Sequence, residues 1–187
     1  MVHTRHRLDH LGTTSILYEG SPDYPDFGRW FKIIQENKVS VFYTGPTAIR
    51  VFMRAGKQWP KQYDLSSLRL LGSVGEPLSP EAWIWYRTHF GGGKLQIMDT
   101  WWQTETGTFV ISPRPITPLK PGSPAFPLPG YNAEIVDEMG SALSLGGSGN
   151  LVIPTPHPTM FRDLYRDPEW YAKKYLETYW SIGPSAS

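Results

Sequence analysis

The segment from Thr100 to Gly107, with the sequence TWWQTETG, holds the densest group of side chains suited to a charged ligand. Its hydroxyl and amide groups, together with backbone N–H groups, can hold phosphate oxygens. Glu105 supplies a carboxylate of the kind that binds a divalent cation bridging such phosphates. The alternative interpretation is a polar hairpin turn with two tryptophans in the core. For this segment taken alone, the alternative is favoured.

Two other segments of small and polar residues occupy equivalent places in the chain. Residues 72–77 (GSVGEP) lie at the end of one predicted strand, and residues 44–47 (TGPT) follow another. Glycine allows a flat ligand to approach the backbone closely, although a Gly-x-x-Gly turn alone indicates only a strand-to-helix turn. Ligands of open α/β sheets bind at the carboxyl ends of the strands. Three such segments therefore predict a binding site at one edge of the sheet.

Predicted strands and helices alternate along the first part of the chain, and these elements must position the three segments. Short apolar runs predict strands, and apolar residues at helical spacing predict helices between them. The predicted strands cover residues 14–18, 39–43, 68–74 and 95–98. Helices are predicted over about 26–37, after the turn at residues 44–46 with its end marked by Gly56, and in a segment that begins at Ser79. This alternation predicts an α/β fold with a mostly parallel sheet flanked by helices.

The composition changes after Gly107. Seven prolines lie between residues 112 and 129, too many for a helix or a central strand. Predicted strands at 133–136 and 150–153 indicate a small β-rich module, and Asp167 caps a predicted terminal helix over 168–179. The expected organisation is a tail at 1–11, an α/β part at 12–112 and a Pro/Gly-rich β module with a terminal helix at 113–187.

Both ends of the chain indicate an incomplete domain. The first predicted strand starts close to the N-terminus, and the chain ends in the sequence SIGPSAS. An open sheet that lacks its leading strands exposes an edge and apolar surface. We therefore expect a fragment of a larger protein, and self-association through the exposed sheet edge is one consequence.

Composition excludes several classes of protein. Lys and Arg number 18 against 17 Asp and Glu, and the resulting net charge of +1 argues against a nucleic acid or an anionic membrane as partner. Without cysteine, the chain has no disulfide, thiolate nucleophile or Cys-ligated metal. No apolar run approaches the roughly 20 residues of a membrane span, and the first ten residues lack the apolar core of a signal peptide. These features predict a soluble, cytoplasmic protein.

Several of these segments resemble one known family. LLGSVGEPLSPEAW (residues 70–83) and DTWWQTETG (residues 99–107) closely resemble the AMP-forming acetyl-coenzyme A synthetases of the adenylate-forming superfamily. FYTGPTAIR (42–50), YDLSSLRLL (63–71) and TPLKPGSP (117–124) fit the same family in the same order. The double tryptophan is the most specific of these features, since it is typical of the members that act on short acyl groups.

The resemblance implies a role for each matching residue. Residues that would hold the AMP part of the nucleotide are Gly75, Glu76 and Pro77 on the adenine and ribose side, Asp99 at the adenine amino group with Thr100 beside it, and Gln103 and Thr104 at the α-phosphate. Glu105 would be the Mg²⁺ ligand. Val74 and Trp102 would form the acyl pocket, because a large rigid ring leaves room for a methyl group and little else. Thr44 and Gly45 would border the coenzyme A channel.

The implied reaction has two steps, with acetate, ATP and coenzyme A as substrates. Acetate attacks the α-phosphate of MgATP to give acetyl-adenylate and pyrophosphate, and coenzyme A then takes the acetyl group and releases AMP. The family's phosphate loop and its lysine-bearing C-terminal domain have no match in this sequence, so we expect no catalytic residue in the chain and little turnover by the chain alone. The alternatives are a propionate-type ligase and an inactive fragment that acts only through association.

Overall fold

The computed structural model describes residues 12–176, and its first part is built on a parallel sheet. The elements of this part are α1 (Arg29–Glu36), β1 (Val41–Thr44), α2 (Pro46–Ala55), β2 (Leu70–Val74), α3 (Pro80–His89) and β3 (Gln96–Thr100). The strands lie in the order β1-β2-β3 and both pairs are parallel. Thr44 pairs with Ser73, and Ser73 pairs with Asp99, so the three strands end at nearly the same level. The predicted α/β class is therefore confirmed.

Local sequence explains where the helices begin and end. α2 and α3 each begin with a proline, whose fixed φ angle suits the first turn of a helix and whose missing N–H costs nothing there. The Ser79 side chain caps α3 by accepting a hydrogen bond from the backbone N–H of Ala82 at 3.3 Å. α2 ends at Gly56, which has a φ of 103° that favours glycine.

The helices pack against the sheet through an aromatic core. The rings of Phe31, Phe52 and Phe90 lie within 5.0–5.9 Å of one another, and all three side chains are buried. Tyr86 on α3 is fully buried, and its hydroxyl donates to the carbonyl oxygens of Phe42 at 3.1 Å and Gly72 at 3.3 Å. This hydroxyl ties α3 to β1 and β2, so the core also holds the sheet that carries the predicted site.

The second part of the chain contains a small antiparallel sheet and a short helix. β4 (Glu134–Val136) pairs with β5 (Asn150–Val152), as the sequence predicted. α4 (Pro168–Tyr171) begins after the cap residue Asp167 and continues as a π-helical turn over Ala172–Leu176. The predicted residues 177–179 of this helix lie outside the described residues, as do residues 1–11. The division of the chain at residues 112 and 113 stays a prediction.

The predicted strand at residues 14–18 is wrong. This segment pairs with no strand in the part that the structure describes, and Ile16 and Leu17 are about half exposed. The Tyr18 ring instead packs edge-on against Trp30 at 5.8 Å, and its hydroxyl donates to the carbonyl oxygen of Tyr24 at 2.7 Å. An apolar run becomes a strand only when a neighbour completes its hydrogen bonds. Three parallel strands, rather than four, are therefore observed.

Across residues 12–176, the structure contains no helix with both the length and the apolar character needed to cross a membrane.

The aromatic core predicts the effect of one substitution on stability. Phe31→Ala removes a fully buried ring that contacts Phe52 and Phe90, and we expect the free energy of unfolding to fall by about 3–5 kcal/mol. Ile84→Ala is the control, because Ile84 is 54% exposed and its loss should change stability by less than about 0.5 kcal/mol. Urea denaturation followed by tryptophan fluorescence measures both. Equal effects of the two substitutions would contradict this account of the core.

Candidate nucleotide and acyl site

A cleft of about 410 Å³ lies at the carboxyl ends of β2 and β3. The ends of β2 and β3 each supply one group of lining residues, and the proline-rich segment supplies a third. The lining residues are Gly75, Glu76, Pro77 and Leu78 after β2, Asp99, Thr100, Trp101, Trp102 and Gln103 at and after the end of β3, and Gly122 and Pro124 in the proline-rich segment. The cleft thus lies where open α/β sheets bind their ligands.

Asp99 is the carboxylate at the floor of this cleft. It is only 5% exposed, and burial raises its pKa from 3.8 to about 6. Removal from water disfavours the charged form, which explains the direction of the shift. At pH 7 the group is still mainly ionised. A buried, ionised carboxylate is a strong acceptor for an N–H donor of a ligand.

Glu76 lies at the mouth of the cleft and is held by α2. Its carboxylate accepts hydrogen bonds from the hydroxyl of Thr47 at 2.6 Å and from the guanidinium of Arg50. These two hydrogen bonds, and the charge of Arg50, lower the pKa of Glu76. The pair is partly exposed, so its contribution to stability is small. Its structural effect is to attach the turn after β2 to the first turns of α2.

The turn after β3 is fixed by the segments that follow it. Trp101 forms an antiparallel bridge with Ile111, and its N–H donates to the Ile111 carbonyl at 2.8 Å. Residues 104–106 then form one 3₁₀ turn, closed by the Gln103 N–H donating to the Thr106 hydroxyl at 3.0 Å. A side chain at Gly107 would overlap the carbonyl oxygen of Thr159, so glycine is required for this close approach.

Glu105 does not line the cleft but contacts the end of the described chain. One of its carboxylate oxygens accepts a hydrogen bond from the Tyr175 hydroxyl at 2.8 Å, and this contact raises the pKa of Tyr175. No group of three or more His, Cys, Asp or Glu side chains that could hold a metal ion occurs among residues 12–176. A single carboxylate nevertheless fits Mg²⁺ that is bound mostly through substrate phosphates and water.

The structure brings together seven of the residues predicted from the sequence. Gly75, Glu76, Pro77, Asp99, Thr100, Trp102 and Gln103 all line the cleft. Five others do not line it: Val74, Thr104, Glu105, Thr44 and Gly45. Thr44 is buried beside Ser73 in the sheet, and a Cβ at Gly45 would lie 3.5 Å from the carbonyl oxygen of Val74. The predicted coenzyme A residues therefore adjoin the predicted acyl residue Val74.

Sequence analysis missed some residues of this region. Leu78, Trp101, Gly122 and Pro124 line the cleft without having been predicted to do so. Gly122 and Pro124 lie in the TPLKPGSP segment, whose match to the family was the available signal. Tyr43 was also missed, although its hydroxyl lies 2.7 Å from the Thr100 hydroxyl oxygen. Nothing in the local sequence around Tyr43 indicates this contact.

Comparison with known proteins identifies the family. The sequence profile of the family described as "AMP-binding enzyme" matches residues 10–165. The chain belongs to this family. Acetyl-coenzyme A synthetase from Methanothrix thermoacetophila is 63% identical over 174 residues, which cover 93% of this chain and 26% of that protein. The protein of the same name from Methanothrix soehngenii is also 63% identical, over 172 residues, covering 92% and 26% of the two chains.

A solved structure has the same fold. The anthranilate CoA ligase AuaEII, in complex with anthranoyl-AMP, superimposes with a TM-score of 0.75 at 27% sequence identity. The match covers 90% of this member of the AMP-binding enzyme family and 31% of the ligase chain. The chain thus spans about a quarter of the length of the curated relatives above and about a third of the solved one.

The raised pKa of Asp99 predicts a pH dependence of stability. Because the folded state binds the Asp99 proton more tightly than the unfolded state, the contribution of Asp99 to the free energy of unfolding should fall as the pH rises from about 4 to about 6. The comparison is with Asp99→Asn, which mimics the neutral carboxyl group. The variant should match the wild type at pH 4 and exceed it by about 2–3 kcal/mol above pH 6. Urea denaturation across this pH range measures the difference, and a difference independent of pH would contradict the assignment.

Proposed function

We propose that this protein provides the nucleotide- and acyl-binding part of an acetate–CoA ligase that forms AMP. The parent reaction activates acetate with MgATP to acetyl-adenylate and pyrophosphate, and then transfers the acetyl group to coenzyme A. One observation carries the proposal: the ring of Trp102 lines the same cleft as Asp99 and Gln103. The identity of 63% to two acetyl-coenzyme A synthetases supports it.

The adenine and α-phosphate of the nucleotide are proposed to lie across the cleft. Asp99 accepts the adenine amino group, and its burial strengthens that contact because little water competes. The segment from Gly75 to Pro77 borders the adenine and ribose, and Thr100 lies beside Asp99. Gln103 and Thr104 donate to the α-phosphate from the turn after β3, where both side chains are exposed. The fold match to AuaEII, which was solved in complex with anthranoyl-AMP, supports a nucleotide as the ligand.

The acyl group is proposed to lie between Val74 and Trp102, with coenzyme A approaching past Thr44 and Gly45. Val74 pairs with Thr100 in the sheet, so it lies next to the floor of the cleft. The indole ring limits the volume available to the acyl chain, which favours acetate over longer acids. The close approach of Gly45 to the Val74 backbone supports the proposal that the acyl and coenzyme A regions are adjacent.

Glu105 is proposed to bind Mg²⁺ together with the phosphates of ATP. The ion would neutralise phosphate charge during attack by the carboxylate of acetate. Tyr175 donates to Glu105 in this structure and so holds one carboxylate oxygen near the turn. Location in the cytoplasm and self-association through the sheet edge stay predictions.

The first test of this proposal is nucleotide binding by the 187-residue chain. We expect AMP to bind in the high micromolar range or more weakly, and ATP to gain less than about threefold, because the proposed phosphate contacts reach only the α-phosphate. Asp99→Ala should weaken AMP binding by about tenfold through loss of the charged acceptor. Glu138→Gln, which changes an exposed acid away from the cleft, is the control. Calorimetric titration measures all three proteins, and a strong preference for ATP would contradict the proposed contacts.

The second test addresses the reaction and the acyl pocket. Residues 12–176 replace the matching segment of the Methanothrix thermoacetophila synthetase, and kcat/KM is measured for acetate, propionate, butyrate and valerate. Trp102→Gly should raise the ratio of kcat/KM for valerate to kcat/KM for acetate by roughly 30-fold, on the order of 2 kcal/mol, because three more methylenes become buried. Trp85→Ala, in which the tryptophan lies outside the cleft, should leave the ranking unchanged.

Each result of the second test has a definite meaning. A chimera that binds ATP but does not activate acetate would contradict the proposed function. A chimera that prefers propionate before any substitution would favour the propionate-type ligase. If Trp102→Gly lowers kcat/KM for all four acids together, Trp102 is a core residue and does not determine acyl selectivity.

A further inference from the structure

Tyr43 connects the far edge of the sheet with the cleft. It is the third residue of β1 and pairs with Gly72 of β2. Its hydroxyl lies 2.7 Å from the hydroxyl oxygen of Thr100, the last residue of β3. One side chain therefore crosses the whole width of the three-stranded sheet and ends at a residue that lines the cleft.

Glycine at position 72 leaves room for the Tyr43 side chain to cross the middle strand. A Cβ atom at position 72 would overlap the ring of Tyr43, so any larger residue there would displace the ring. Strand residues that are opposite one another point to the same face of a sheet. The Tyr43 ring consequently lies over Gly72 and occupies the space that a side chain at position 72 would need.

The hydroxyl of Tyr43 has a defined role in the hydrogen bonding. The Thr100 hydroxyl donates its only hydrogen to the carbonyl oxygen of Ser73 at 2.8 Å, so Tyr43 must be the donor to Thr100. The Trp102 side chain also interacts with the phenol oxygen. Burial raises the pKa of Tyr43 to about 12, and the phenol therefore keeps its proton at neutral pH.

The ring of Tyr43 lies on the sheet face that carries the proposed acyl residues. Val74 is two residues beyond Gly72 and therefore points to the same face. Phe109 contacts both Tyr43 and Trp102, with ring centroids 6.2 Å and 6.3 Å away. Tyr43 thus has Gly72, Phe109 and Trp102 as neighbours, and it shares a sheet face with Val74.

We propose that Tyr43 is a specificity-determining residue that closes the acyl pocket on the side of the sheet. Its ring fills the space between Gly72 and Trp102 that a longer acyl chain would otherwise enter. Its hydroxyl, by donating to Thr100, keeps the ring in that place. This inference rests on the proposed function, since it concerns the acyl group that Val74 and Trp102 are proposed to hold.

The test uses the 187-residue chain with AMP and with sulfamoyladenosine carrying an acetyl or a butyryl group, which are stable analogues of acyl-adenylates. Dissociation constants come from ligand-observed NMR titration. Tyr43→Ala should shift the affinity ratio of butyryl to acetyl analogue by about tenfold in favour of butyryl, because two more methylenes become buried. Tyr43→Phe keeps the ring and should shift the ratio by less than about twofold. AMP, which has no acyl group, should bind all three proteins alike.

The outcomes separate the inference from the proposed function. If Tyr43→Ala weakens all the ligands together without changing the ratio, Tyr43 only supports the sheet and the inference is overturned. Tyr43→Leu is measured in parallel in case Tyr43→Ala does not fold, and it should shift the ratio in the same direction by about threefold. A wild-type chain that fails to bind AMP contradicts the proposed function. A wild-type chain that prefers the acetyl analogue, with the same preference kept in Tyr43→Ala, contradicts the inference alone.

Discussion

The register of three parallel strands is the constraint on which the site depends. Pairing of Ser73 with both Thr44 and Asp99 brings the ends of β1, β2 and β3 to one edge of the sheet. The turns that follow then emerge side by side and form the cleft. A shift of β3 by one residue would exchange the directions of Asp99 and Thr100, because alternate strand residues face opposite sides. The buried core, with Leu71 and Ile97 at its centre, holds this register.

Two carboxylates of the cleft have opposite electrostatic environments. Asp99 lies in the interior and forms no salt bridge within residues 12–176, and burial raises its pKa. Glu76 is exposed at the mouth, and its hydrogen bonds to Thr47 and Arg50 lower its pKa. The charge of Glu76 is therefore largely neutralised within the protein, whereas that of Asp99 is proposed to interact with a ligand. The two residues therefore differ in how their charge is compensated, although both were predicted to contact the nucleotide.

Local signals in the sequence predicted most of the first part of the fold. Proline and serine at the starts of α2 and α3, together with apolar runs at β2 and β3, mark these elements without reference to the rest of the chain. The failure at residues 14–18 has a physical cause, since a strand depends on a neighbour that local sequence does not specify. The same cause hid the contact of Glu105 with Tyr175, which is 70 residues away. The roles of the predicted site residues came from family resemblance and not from spacing.

The overlap of positions 43 and 72 limits how this sequence can change over evolutionary time. The aromatic ring of Tyr43 occupies the volume that a side chain at position 72 would need. Enlargement of residue 72 is tolerated only after residue 43 has become smaller, so the order in which the two substitutions arise matters. Relatives that carry a bulkier residue at the equivalent of Gly72 should accordingly lack the aromatic ring at the equivalent of Tyr43.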